Sequence, residues 1–175
     1  MAQNRLPRAN SEARENVISL SGEWQFQRDD QRAGKQEKWY NRTSFNDKIM
    51  LPSTIDEQHK GSAEAKQDGR FTRLYAYEGP AWYQRTVDIP AMMEGCSLFL
   101  CLERTKVTDV WFDGQYVGSD SSLITTQKFL LTEQAVPGVH RITVRVTNGA
   151  DENPPVSGCH QMSNGTQTNW NGILG

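Results

Sequence analysis

Apolar and polar residues alternate with a period of two wherever the pattern is clear, and no stretch keeps the 3.6-residue period of an amphipathic helix. In Gly22-Glu23-Trp24-Gln25-Phe26-Gln27, Trp24 and Phe26 alternate with polar neighbours, which predicts a strand with one buried face. From Ile142 to Thr147 the alternation is unbroken. Leu98-Phe99-Leu100-Cys101-Leu102 is a short continuous apolar run, whose length predicts a strand buried on both faces rather than a helix. Trp82 to Ile89 predicts a further strand, ended by Pro90, which has no N–H to give to a ladder. Asp113-Gly114, set between Val110-Trp111-Phe112 and Gln115-Tyr116-Val117, suits the two positive-φ positions of a type I′ turn and predicts a tight hairpin. Pro137-Gly138 predicts a second turn. Six or more strands at short spacing make this an all-β chain, a two-sheet β-sandwich or jelly roll.

Three polar stretches interrupt the pattern: Asp29 to Lys38, Asp56 to Arg73 and Asp151 to Asn169. The second holds Ala63-Glu64-Ala65-Lys66, enough for one helical turn, and is otherwise a long surface loop. Residues 1–17 read as a polar arm ahead of one domain, 18–175. A chain of this length buries roughly 70% of its unfolded surface and needs no disulfide to fold. With 36% hydrophobic and 23% charged residues, it suits a sandwich with long polar loops.

A formal charge of −2 gives no electrostatic case for nucleic acid or an anionic membrane as partner. No apolar run approaches the roughly 18 residues of a membrane span, and Met1 to Asn16 has no apolar core of a signal peptide, so localisation is not legible. Cys96, Cys101 and Cys159 lack CxxC or metal-ligand spacing, and Cys101 is expected in the core. His59 and His140 have no ligand-spaced partner, and neither a G-x-G-x-x-G loop nor a P-loop is present; no metal and no cofactor are expected.

Six landmarks occur in a telling order. Leu20-Ser21-Gly22-Glu23-Trp24-Gln25-Phe26 opens the series, Leu51-Pro52-Ser53 follows, then Trp82-Tyr83-Gln84-Arg85 and Asp109 to Gly118. His140 to Asn148 and Asn169-Trp170-Asn171-Gly172-Ile173 close it. This series resembles the N-terminal sugar-binding domain of glycoside hydrolase family 2, which includes β-galactosidases, β-glucuronidases and β-mannosidases. The resemblance covers about residues 18 to 175 and implies a galactose-binding-like jelly roll. It further implies an immunoglobulin-like domain and a catalytic (β/α)₈ barrel in the same parent chain, with the catalytic glutamates in the barrel. On that reading the chain is a fragment of a longer protein, and family members continue into another strand beyond Gly172-Ile173-Leu174-Gly175. Two positions depart from the β-galactosidase pattern: Thr168, where an acidic residue is common, and Glu78-Gly79-Pro80, where an asparagine is common before the proline stretch.

Glycoside hydrolysis requires two carboxylates roughly 5 to 9.5 Å apart. The acids nearest the strand motifs are Glu103, Asp109, Asp113 and Asp120; Asp113 is taken by its turn, and Glu103 and Asp109 sit at strand ends where solvated charge is ordinary. No catalytic residue is therefore expected in this chain. A nucleophile fares no better, because no G-x-S-x-G elbow is present and neighbours such as Cys159 and His160 point to opposite faces of extended chain.

Aromatic side chains stack on the C–H faces of sugars. Trp24, Trp82 and Trp111 fall in strand patterns and are expected in the core, Trp39 and Tyr40 are ambiguous, and Tyr75 and Tyr77 flank a loop. Trp170 alone has motif support and a polar surround, His160 to Asn169, dense in amides and hydroxyls that donate to and accept from sugar hydroxyls. His160, Gln167, Asn169 and Trp170 are the expected substrate-binding residues, with carbohydrate reached through the full-length enzyme. The alternatives are a free-standing carbohydrate-binding module and a structural sandwich whose polar loop bonds to itself. Asn41-Arg42-Thr43 and Asn164-Gly165-Thr166 also match the N-glycosylation sequon.

Overall fold

The computed structural model describes residues 17–63, 74–149 and 170–175; the arm expected at 1–17 lies outside them except for Val17. In chain order the strands are β1 (Gly22–Arg28), β2 (Asp47–Leu51), β3 (Ser53–Thr54), β4 (Ser62–Ala63), β5 (Tyr75–Ala76), β6 (Pro80–Ile89), β7 (Leu98–Leu102), β8 (Val107–Phe112), β9 (Gln115–Asp120), β10 (Gln127–Thr132), β11 (Gly138–Thr147) and β12 (Gly172–Ile173). Six of them form one sheet in the order β2-β1-β6-β11-β8-β9, and every pairing in it is antiparallel. The pairs β7–β10 and β3–β12 lie across from it, giving the expected β-sandwich.

Register sorts the large sheet into two faces. Phe26, Tyr83, Val144 and Val110 stand in one row across β1, β6, β11 and β8, while the adjacent row is Gln25, Gln84, Thr143 and Trp111. Because side chains alternate along each strand, the first row points into the sandwich and the second away from it. The inner row packs with Trp24, Ile49, Leu51, Leu100, Leu102, Phe129 and Ile173 as the main core. An apolar cavity of about 450 Å³ remains in this layer, lined in part by Leu20, Val87, Leu98 and Ile173.

The outer face has a smaller core of its own. Residues 29–45 fold over it, and Trp39 and Phe45 pack on Trp82 and Trp111, with Tyr40 stacked flat on Trp111 at 5.1 Å. Asp29 organises this cover: its carboxylate accepts from the amides of Ala33 (2.8 Å) and Gly34 (2.9 Å) and from Trp82 Nε1 (3.0 Å). A Cβ on residue 34 would stand 2.5 Å from Trp82 Nε1 and 2.6 Å from Asp29 Oδ2, so only glycine permits the approach. Trp24, Trp82 and Trp111 are buried as expected, and Trp39 joins them.

The hairpin expected at Asp113-Gly114 is present, with φ of 50° and 79° at the two residues. Three expectations need correction. β7 is buried on one face only: Leu100 and Leu102 point into the core, whereas Phe99 is 58% exposed. Cys101 points outward with Phe99 and is exposed, not in the core. The reason is architectural, since β7 and β10 form an outer layer with nothing described on their far side. Ala63, read as part of a helical turn, instead pairs with Tyr75 in the β4–β5 ladder, and 64–66 lie outside the described residues.

Candidate functional site: the clamp at residues 148 and 171

β11 carries the chain to Thr147 and Asn148, and the chain returns at Trp170, Asn171 and β12. The expected binding stretch therefore leaves and re-enters the sandwich at one place. His160, Gln167 and Asn169 lie outside the described residues, while Trp170, half-buried at the point of return, is placed. Lys106 Nζ sits 4.6 Å from the centroid of its ring, a cation–π contact that fixes the indole face against the sandwich.

Two buried asparagines hold this junction. Asn148 and Asn171 are 1% and 3% exposed. Asn148 Oδ1 accepts from the Gly79 amide at 3.0 Å and from Asn171 Nδ2 at 3.2 Å, and Asn148 Nδ2 donates to the Tyr77 carbonyl at 2.9 Å. Asn171 Nδ2 also donates to the Gly79 carbonyl at 2.8 Å, and its Oδ1 accepts from the Tyr83 hydroxyl at 3.3 Å. Burial pushes the Tyr83 phenol well above the usual tyrosine range, so it stays protonated as a donor. The Tyr77 phenol is raised by the same cause and donates to the Pro80 carbonyl at 2.7 Å. Each amide thus satisfies main-chain groups that would otherwise be buried without partners.

Backbone geometry completes the fastening. β12 pairs with β3, Ile55 N donates to Asn171 O at 2.8 Å, and Thr105 Oγ1 donates to Gly172 O at 3.1 Å. Gly172 has φ of 154°, and a Cβ there would lie 2.5 Å from Ser53 O and 2.7 Å from Thr54 Cα. Only glycine lets the returning strand come this close. Sequence reasoning singled out Trp170 but missed the two asparagines. Both stood in quoted landmarks, at the end of the alternating strand and in Asn169-Trp170-Asn171-Gly172-Ile173; an asparagine directly after a strand was the available signal.

The candidate carboxylates have structural employment. Asp109 corrects an expectation: it is 5% exposed, not solvated, and its Oδ2 pairs with Arg145 Nη1 at 2.9 Å and Lys35 Nζ at 2.8 Å. It faces Arg145 on the neighbouring strand, beneath the covering segment. Asp120 Oδ1 accepts from the Ser122 amide at 2.8 Å, and the two oxygens of Asp113 accept from the Arg141 amide and from His140. His59 stacks on Tyr75 at 4.3 Å.

Comparison with known proteins agrees with this architecture. The family described as glycosyl hydrolases family 2, sugar binding domain, matches residues 17–153. A β-glucuronidase of Paenibacillus borealis is 28% identical over 134 residues, which are 75% of this chain and 21% of that protein. Among solved structures, the β-glucuronidase of Ruminococcus gnavus superposes with a TM-score of 0.60 at 24% identity, over 75% of this chain and 21% of that one. A β-glucuronidase from an uncultured Clostridium gives 0.59 at 24% identity, over 74% and 21%. The chain therefore spans about a fifth of the length of these relatives, and its counterparts are domains of larger glycosidase chains. With sequence and fold in agreement, this chain belongs to glycosyl hydrolase family 2 and carries that family's sugar binding domain.

Proposed function

We propose that this chain is the non-catalytic N-terminal domain of a family 2 glycosidase, and that the segment 150–169 reaches from its clamp toward substrate held in the catalytic barrel. The domain occupies 18–175, beyond the family match, because β12 is part of the sandwich. Its partners are the immunoglobulin-like and barrel domains of the same polypeptide. The observation that carries the reading is the clamp: two buried asparagines, a strand pair and an obligatory glycine hold both ends of the polar segment 150–169. Such a root positions a loop at a fixed place while leaving its side chains free to meet a ligand.

On this reading Gln167 and Asn169, with His160, hydrogen-bond substrate hydroxyls, and Trp170 anchors the segment. The relatives are named β-glucuronidases, so an aryl β-glucuronide is the first substrate to try. The isolated chain turns over neither it nor an aryl β-galactoside. Asn169→Ala in the full-length enzyme lowers kcat/KM by about tenfold, the loss expected when a buried partner of a sugar hydroxyl goes unpaired, with thermal stability unchanged. His160→Ala is the second probe. Wild-type kinetics in both variants would make the segment structural, and micromolar binding of free sugar to the isolated chain would favour a carbohydrate-binding module.

A further inference from the structure

Both clamp asparagines are followed by glycine, in Asn148-Gly149 and Asn171-Gly172. In such a pair no Cβ shields the glycine nitrogen, which can attack the carbonyl carbon of the asparagine side chain. A bond forms from that nitrogen to Cγ, the Cγ–Nδ2 bond breaks, and ammonia leaves with the amide proton, closing a succinimide. Water then opens the ring to aspartate, or to isoaspartate, which adds a carbon to the main chain. The reaction needs no oxidant, reductant or enzyme.

The closed clamp holds the reacting groups apart. Gly149 N, the nucleophile, donates instead to Thr147 Oγ1 at 3.2 Å, and Gly149 is buried. The Asn148 side chain is fixed from both ends, its Oδ1 by Gly79 N and Asn171 Nδ2 and its Nδ2 by the Tyr77 carbonyl, so Cγ does not turn toward the glycine. Asn171 is fixed likewise, by the Gly79 carbonyl at Nδ2 and the Tyr83 hydroxyl at Oδ1, and Gly172 lies against Ser53 and Thr54. Opening the junction releases all of these groups together.

The product does not close again. The oxygen that replaces Asn148 Nδ2 meets the Tyr77 carbonyl, and the one that replaces Asn171 Nδ2 meets the Gly79 carbonyl and Asn148 Oδ1. Each exchange turns a donor–acceptor pair into two acceptors and puts a negative charge at a position only 1% or 3% exposed. We infer that Asn148 and Asn171 are deamidation sites sealed by the clamp they form, so that opening of the sandwich at this junction is recorded covalently and in one direction. The inference rests on residues of the sandwich alone and is independent of what the segment 150–169 contacts.

The test is peptide mass spectrometry of the chain after incubation in mildly alkaline buffer. In unfolding concentrations of urea, Asn148 and Asn171 should gain the mass of an amide-to-acid exchange at rates similar to that of Asn164 in Asn164-Gly165. Without urea, Asn148 and Asn171 should react more slowly by about tenfold or more, because only the open fraction is reactive. Chain deamidated in urea and returned to buffer should melt at a lower temperature than chain carried quickly through the same cycle. Asn148→Asp should reproduce that loss near neutral pH. Burial raises the folded-state pKa of the new carboxyl, so part of the loss relative to wild type should be recovered toward about pH 4, where its hydroxyl donates to the Tyr77 carbonyl. The neighbouring phenols of Tyr77 and Tyr83 stay protonated across this range. Equal rates with and without urea would overturn the seal, and absence of reaction in urea would overturn the sites. Melting of the deamidated chain at the untreated temperature would overturn the one-way closure.

Discussion

His140 has acceptors at both ring nitrogens: Asp113 Oδ2 lies 2.7 Å from Nδ1 and the Val136 carbonyl 2.8 Å from Nε2. Only the imidazolium can donate from both. The hydrogen bond to Asp113 accordingly holds the His140 pKa above the usual histidine value, with burial opposing and the Val136 carbonyl assisting. A folded-state pKa raised above the unfolded one gives stabilisation that is full below about pH 6.5 and disappears as pH rises through the folded value. Thermal melts of wild type and His140→Gln should therefore differ most near pH 5 and converge in the alkaline range; a gap that widens with pH would refute the ion pair. The chain as written gave no hint of this pairing. Asp113 was legible as a turn residue because Asp-Gly carries its own local conformational demand, but its carboxylate meets His140 only once the hairpin lies beside β11, 27 positions along the chain.

At the level of strands, alternation and turn chemistry were enough to locate β1, β6, β11 and the β8–β9 hairpin, since a period of two records which face each side chain takes. It does not record what lies against that face. β7 was misjudged for this reason: its apolar run is continuous, yet Phe99 and Cys101 look outward while Leu100 and Leu102 fill the core. Asp109 was misjudged in the opposite sense, because the covering segment and Arg145 enclose a carboxylate that the local pattern left in solvent. The ladder between β8 and β11 brings Asp109 opposite Arg145, and both are nearly fully buried. Removing Arg145 leaves the Asp109 carboxylate with Lys35 at 2.8 Å as a counter-charge but without its buried one, in a site where lost pairing is costly. Arg145→Met should cost about 3 kcal/mol in urea unfolding, and Asp109→Leu combined with it should recover part of that loss. Equal effects of the single and double variants would show that the two side chains are not coupled.

For the molecule as a whole, the family was legible from six landmarks in order, and the fold and the family match agree with it. The candidate site was legible only in part. Trp170 stood out by its polar surround, whereas Asn148 and Asn171 declare themselves through contacts with Tyr77, Gly79 and Tyr83, 69 to 92 positions away. Tertiary hydrogen bonds at that range leave no local trace in a sequence.

The clamp also separates what must stay from what is free to change. Asn148 and Asn171 are tied to each other, to Tyr77, to Gly79 and to Tyr83, and these bonds set the separation of the two ends. A flexible connection between fixed ends loses only about 0.6 kcal/mol for each doubling of length. Replacing 150–169 by a glycine–serine linker of equal length should shift the midpoint of thermal unfolding by no more than a few degrees, while the full-length enzyme loses substrate turnover. A large fall in the midpoint would show that the segment helps hold the sandwich together. If the proposed role of 150–169 holds, substrate preference can drift by exchange of one insert on a socket, with length and composition altered together and the host sandwich left unchanged.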